Sequence, residues 1–118
     1  MENLTVTIAK QNDFQNTYLI GFKGNFDGGI MKNIKELQAI IDEATPKMTL
    51  IFEFSELNFL NSYAIGHMVS WHNQLSEKEG QILITGSNKN IEDIFSILGI
   101  NNLFKTYPDV ATALATLK

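Results

Sequence analysis

Thr49-Leu50-Ile51-Phe52-Glu53-Phe54, then Ser55 to Asn61, then Ser62-Tyr63-Ala64-Ile65-Gly66-His67-Met68-Val69, is the stretch that decides the fold. Thr49 to Phe54 is rich in strand formers and reads as a central strand. Ser55 to Asn61 reads as a connection carrying Leu57, Phe59 and Leu60. From Ser62 onward the apolar spacing turns helical, through Ile65, Met68, Val69, His72 and Leu75. Gly80 is expected to end this segment, in keeping with glycine's place after helix C-termini. A strand that leads through a short connection into a helix is the building unit of an α/β sheet.

Working outward, the same grammar repeats. Leu4 to Ala9 alternates as a half-buried strand, with Leu4, Val6 and Ile8 on one face. Asn12-Asp13 is a polar turn, and Tyr18 to Lys23 reads as the second arm of a hairpin. Gly24 to Gly29 reads as a loop. Ile30, Ile34, Leu37 and Ile41 then fall at helical spacing, and that helix is expected to stop near Thr45-Pro46. Ile82-Leu83-Ile84 reads as a buried strand closed by Gly86. Ile91, Ile94, Phe95 and Leu98 mark a further helix with Gly99 as its stop. Leu103 to Tyr107 reads as a short strand. Val110, Ala113, Leu114 and Leu117 mark a last helix, opened by Pro108-Asp109. The expected order is ββαβαβαβα: one α/β domain over residues 1–118, a mixed sheet of about four or five strands with about four helices packed on it.

Composition narrows the function. The chain of 118 residues has length for one compact domain and no cysteine, which removes disulfides, thiolate metal sites and cysteine nucleophiles. The formal net charge is −4 and the lysines are scattered, so no basic stripe for nucleic acid is present. No run of about 18 apolar residues is present to span a membrane, and Met1 to Lys10 does not read as a secretory signal. The cysteine-free composition fits a cytoplasmic setting. Protein or small-molecule partners are expected.

The usual chemistries find little support. His67 and His72 are the only histidines, five apart, a spacing that puts them on different helical faces and not at paired metal-ligand positions. Gly24-Asn25-Phe26-Asp27-Gly28-Gly29 lacks the spacing of either glycine-rich phosphate motif, so it reads as a tight turn. Asp27 there would help backbone donors at the start of the following helix. Asp42, Glu43, Glu53 and Glu56 read as solvated face residues. Ser62, His67 and Asp27 have no spacing that supports a catalytic triad. A non-enzymatic protein is expected. The segment Leu57 to Ser76 holds no lysine, aspartate or glutamate, and Asn61 or Ser62 is placed to cap its helix. That uncharged entrance reads either as a docking surface or as a segment covered by neighbouring loops. Trp71 lies off the main apolar stripe and reads either as a contact residue or as part of a second packing face.

These residues, in this order, resemble the STAS domain family over essentially the whole chain. The family's [apolar]-D-S-[ST]-G-L-G motif corresponds to Phe59-Leu60-Asn61-Ser62-Tyr63-Ala64-Ile65-Gly66. Its Gly-x-apolar-Asp turn corresponds to Gly24-Asn25-Phe26-Asp27, and its tail to Ile91, Phe95, Leu98-Gly99-Ile100, Leu103-Phe104 and Ala113-Leu114. The resemblance is to anti-sigma-factor antagonists, and it implies a cycle. An anti-sigma factor that is also a serine kinase of ATPase fold would bind the protein and phosphorylate Ser62, and a serine phosphatase would reverse the mark. Asn25, Asp27, Asn61, Ser62, Tyr63, Ala64 and His67 would form the partner-binding surface. The resemblance implies no cofactor, metal or membrane insertion, and a monomer or weak dimer. Three departures stand out: the motif's acidic residue is Asn61, its second hydroxyl residue is Tyr63 and its first glycine is Ala64. They favour an alternative, a constitutive STAS-like subunit of a lipid-transport or scaffold complex without phosphorylation. A third expectation is a small-ligand cleft between the Asp27 and Ser62 loops, with weak phosphate affinity.

Overall fold

The computed structural model describes residues 3–117. The chain order is β1 (Leu4–Lys10), β2 (Thr17–Phe26), β3 (Met31–Lys32), α1 (Ile34–Asp42), β4 (Thr49–Leu60), α2 (Ser62–Ser76), β5 (Gln81–Thr85), α3 (Lys89–Ile97), β6 (Lys105–Tyr107) and α4 (Val110–Ala115). One six-stranded sheet runs β3-β1-β2-β4-β5-β6. β1 and β2 form the expected antiparallel hairpin, and every other neighbouring pair is parallel.

The α/β class and the order of elements stand as expected, with one added strand. Six strands replace the expected four or five because Met31 and Lys32 pair with Leu4 and Thr5. Ile30 therefore is not on a helix; it is 59% exposed, and α1 begins only at Ile34. α1 also ends at Asp42, before Thr45-Pro46. The expected connection Ser55–Asn61 is mostly strand, since β4 continues to Leu60. Gly80 does not terminate α2: the helix stops at Ser76, and Glu79 takes the left-handed turn at φ 61°. The last strand is shorter than expected, because Leu103 lies in the preceding turn and Phe104 is buried ahead of β6.

The two faces of the sheet are unequal. The main core lies between one face and α1, α2 and α3. It holds Phe22, Phe26, Phe52, Phe54, Trp71 and Phe95, each almost wholly buried. The other face carries a small cluster of Ile51, Leu83 and Ala113 beneath α4. Covering on both faces explains why β5 reads as an unbroken apolar run, Ile82 to Ile84. Trp71 fills the main core, and its indole Nε1 donates to Gln38 Oε1 on α1 at 2.7 Å. Gln38 and Gln74 both donate to Asp42 Oδ1, at 2.8 and 2.9 Å, so a polar network ties α1 to α2. Those bonds, Gln74's first and Gln38's second, hold the Asp42 carboxyl below the usual range.

Candidate functional site

β2 and β4 lie side by side and parallel, so their C-terminal ends arrive together: Phe26 pairs with Leu60. Beyond that point the chain diverges. After β2 it returns to β3 beside β1; after β4 it crosses through α2 to β5 on the other side. Sites in open α/β sheets form outside the strands' carboxyl ends, where connections part in this way. The Asp27 loop and the Asn61–Ser62 junction occupy this place.

Asn61 is the hinge of the arrangement. Its extended backbone (φ −132°, ψ −167°) ends the strand, and its side-chain Oδ1 accepts from the Tyr63 N–H at 3.0 Å as an N-cap. Its Nδ2 donates to the Asp27 carbonyl at 3.3 Å, and its N–H reaches the Phe26 carbonyl at 3.4 Å. An aspartate could supply the cap but not the amide donor, so the asparagine joins the two loops through one side chain. The Asp27 carboxylate accepts from Asn3 Nδ2 at 3.1 Å and from the Gly29 N–H at 3.0 Å. These bonds, Asn3's first, hold its carboxyl below the usual aspartate range. Asp27 thus orders its own turn; it does not reach the start of α1, contrary to the sequence expectation.

Ser62 is the first residue of α2 and is exposed, and no hydrogen bond engages its hydroxyl among the described residues. Tyr63 is 43% exposed and lies over Gly28. Gly28 has φ +94°, and a Cβ there would sit 3.3 Å from the Tyr63 ring. Glycine is therefore required twice, by the left-handed backbone and by the ring above it. Tyr63 meets the half-buried His67 edge to face, with ring centroids 4.8 Å apart. His67 continues to Trp71 at 5.3 Å and to Phe26 at 5.9 Å. The exposed ring is thus seated on the core, and with Gly66, His67 and Ser70 it lines a shallow depression on α2.

The structure brings Asn25, Asp27, Asn61, Ser62, Tyr63 and His67 to one end of the molecule. Asn25, Ser62 and Tyr63 are exposed, and Asp27, Asn61 and His67 half-buried. Ala64 departs from the expectation of a surface contact: it is fully buried and faces the core, because the first turn of α2 packs inward there. The helix entrance is open and is not roofed by neighbouring loops. Two apolar residues that the sequence reading did not mark as surface residues are exposed at this end: Phe59, paired with Asn25 in the sheet and 48% exposed, and Ile30. Their neighbours Leu57, Leu60 and Ile34 are apolar too, so the sequence carried no mark to separate outward from inward. His67 packs among rings, and Glu53 accepts from the Ser55 N–H and the Thr85 hydroxyl. Half-buried His72, off in the other direction, meets Phe104 and lies 3.4 Å from the Ser76 hydroxyl. Among the described residues no group of three or more histidines, aspartates or glutamates is placed to hold a metal ion. Likewise, no helix among them is long and apolar enough to cross a membrane.

A six-stranded mixed sheet of this order, with an exposed serine at a helix entrance beside the end of β2 at Gly24-Asn25-Phe26-Asp27, defines a class of small α/β domains. The sequence model of the STAS domain matches residues 8–113, and the chain belongs to that family. Solved structures share its fold. An anti-sigma-factor antagonist from Mycobacterium paratuberculosis superposes with a TM-score of 0.76 at 16% identity, over 97% of this chain and 93% of that one. The Bacillus cell-fate determinant SpoIIAA in its phosphorylated form gives 0.69 at 16% identity, over 96% and 99%. The murine anion transporter Slc26a9 gives 0.71 at 12% identity, covering 99% of this chain and 22% of the transporter. No curated protein matches the chain by sequence.

Proposed function

We propose that this protein is a non-enzymatic regulatory module of the anti-sigma-factor-antagonist type, whose docking surface is the Asp27–Asn61–Ser62–Tyr63 end. Its partner is an anti-sigma factor that is also a serine kinase of ATPase fold. Phosphorylation at Ser62 breaks the complex, and a serine phosphatase restores it; the setting is the bacterial cytoplasm. The observation that carries this reading is the unengaged Ser62 hydroxyl, exposed at the start of a helix whose cap is supplied by Asn61 and not by Ser62 itself. Modifying Ser62 costs the helix none of its capping bonds. A phosphate there brings roughly −1.5 to −2 charges to the positive end of the helix dipole, which tolerates them. A partner seated on Tyr63 and Phe59 would lose its contact to desolvation and repulsion. The test is incubation with the cognate kinase and ATP, read by intact mass. One added phosphate is expected in the wild type and none in Ser62→Ala; a mark that survives Ser62→Ala refutes the assignment.

Tyr63 favours a second reading. Its ring is held over Gly28 beside the acceptor serine, where it would crowd a kinase cleft. A constitutive subunit of a lipid-transport or scaffold complex would use the same surface without the mark. Pull-down separates the two: recovery of a membrane transport ATPase in place of an ATPase-fold kinase selects the second.

A further inference from the structure

At the opposite end of the β2–β4 pair, where these strands begin, lies a cavity of about 440 Å³ that the Ser62 surface does not use. Its walls include Lys10, Asn16, Tyr18, Pro46 and Lys47. In a chain of net charge −4 this cavity carries two lysines and no carboxylate. Neither ammonium forms an ion pair among the described residues, where the one salt bridge is Lys89–Asp93. Lys10 stands directly across the hairpin from Tyr18, so a cation and an aromatic ring share one strand pair. Pro46 and the half-buried Tyr18 ring are the apolar parts of a lining that Gln15, Asn16 and Thr45 otherwise make polar.

The walls are built without help from a ligand. Asn16 Nδ2 donates to the Thr45 and Pro46 carbonyls at 3.4 and 3.0 Å, and the Thr49 N–H donates to the Asn16 carbonyl at 3.0 Å. The Lys47 N–H donates to the Lys78 carbonyl at 2.8 Å. Both Asn16 and Lys47 sit in the left-handed region, at φ 54° and 65°. Such residues persist where their surroundings over-determine them. Here the bonds from Asn16 to the Thr45–Pro46 segment and from the Lys47 N–H to Lys78 do so, and they fix the backbone from which the exposed Lys47 side chain borders the cavity. The volume falls within the range of small-molecule pockets.

The geometry points to a second binding site, for a small organic anion with a flat apolar body, between Lys10, Lys47, Tyr18 and Pro46. The anionic head takes the two ammonium groups and the body lies against the rings. The site is independent of Ser62 and of any kinase.

The probe is phenyl phosphate, titrated into the 15N-labelled full chain by NMR, with benzyl alcohol as its uncharged counterpart. Saturable shifts are expected at the amides of Asn16, Tyr18, Lys47 and Thr49, weakening as salt is raised. Benzyl alcohol should not saturate. The double variant Lys10→Gln with Lys47→Gln should bind phenyl phosphate at least about tenfold more weakly. Lys23→Gln, whose lysine lies elsewhere on the surface, should bind as the wild type does. The amide spectrum of each variant reports that it folds. The proposal is overturned by absence of saturation, by equal affinity for benzyl alcohol, or by unchanged affinity in the double variant.

Discussion

The starts of α1 and α2 each follow an asparagine, and the two asparagines do opposite things. Asn61 is extended and caps its helix with its own side chain. Asn33 is left-handed at φ 70°, makes no cap bond, and instead donates to the Val6 carbonyl on β1 at 3.0 Å. One asparagine closes a helix end and ties two loops; the other fastens a helix to an edge of the sheet. The helix that presents a serine is held at its own first turn. The helix that only packs is held by the strand beside it.

The contact joining these helices gives the largest expected effect. Trp71→Ala removes a fully buried ring and the bond to Gln38, and should lower unfolding free energy by about 3–5 kcal/mol in urea denaturation. Next is Gly28→Ala, which puts a Cβ under the Tyr63 ring at positive φ; a loss of about 1–3 kcal/mol is expected, with displacement of Tyr63 visible by NMR. The asparagines then separate. Asn61→Ala should cost about 1–2 kcal/mol and weaken partner binding, because it frees the Asp27 loop. Asn33→Gly should fall within about 0.5 kcal/mol of wild type, since relief of the left-handed residue offsets the lost bond to Val6. Equal costs at the two positions would erase the contrast.

The smallest effect is in acid. The Asp27 carboxyl is lowered in the fold, so its bonds stabilise the protein above the ordinary aspartate pKa of 3.8 and are lost as pH falls through the folded value. Asp27→Asn should flatten part of the acid-side fall in a stability titration. Asp42 remains, as does Asp109, whose carboxylate accepts from the Thr112 N–H and hydroxyl and is lowered the same way.

The helix starts also mark where the sequence was legible. α2 announces itself, because Asn61 and Ser62 are both residue types that cap helices and the apolar spacing begins at once. α4 does likewise through Asp109, whose side chain accepts from Thr112; α3 was read from its apolar spacing alone, and its cap, Asn88 accepting from Ile91, was not singled out. α1 does not, because Asn33 caps nothing and Ile30 continues the helical spacing by chance. The second half of β4 was hidden for a related reason. The pairing with β2 slips twice, opposite Gly21–Lys23 and opposite Gly24–Asn25, each time by one extra residue on β4. The buried residues Leu57 and Leu60 then fall three apart, a helical interval, while Phe59 turns outward. The site's place was legible from the Asn61-Ser62 junction. Its construction was not, since the Asn61 amide bond to Asp27 and the Tyr63–Gly28 contact join residues more than thirty positions apart.

The absence of fixed charge from Leu57 to Ser76 has a kinetic consequence. Asp27 is the one fixed charge among the docking residues, and a helix without lysine or carboxylate adds little long-range field of its own to guide an approaching protein. The encounter rate should lie near the unsteered range of about 10⁵–10⁶ M⁻¹s⁻¹ and change little with ionic strength. A phosphate at Ser62 would give that helix its first strong local field, felt over about 8 Å in physiological salt. The same surface would then meet its partners at a rate that salt controls, so stopped-flow association at two ionic strengths would report the state of a single hydroxyl.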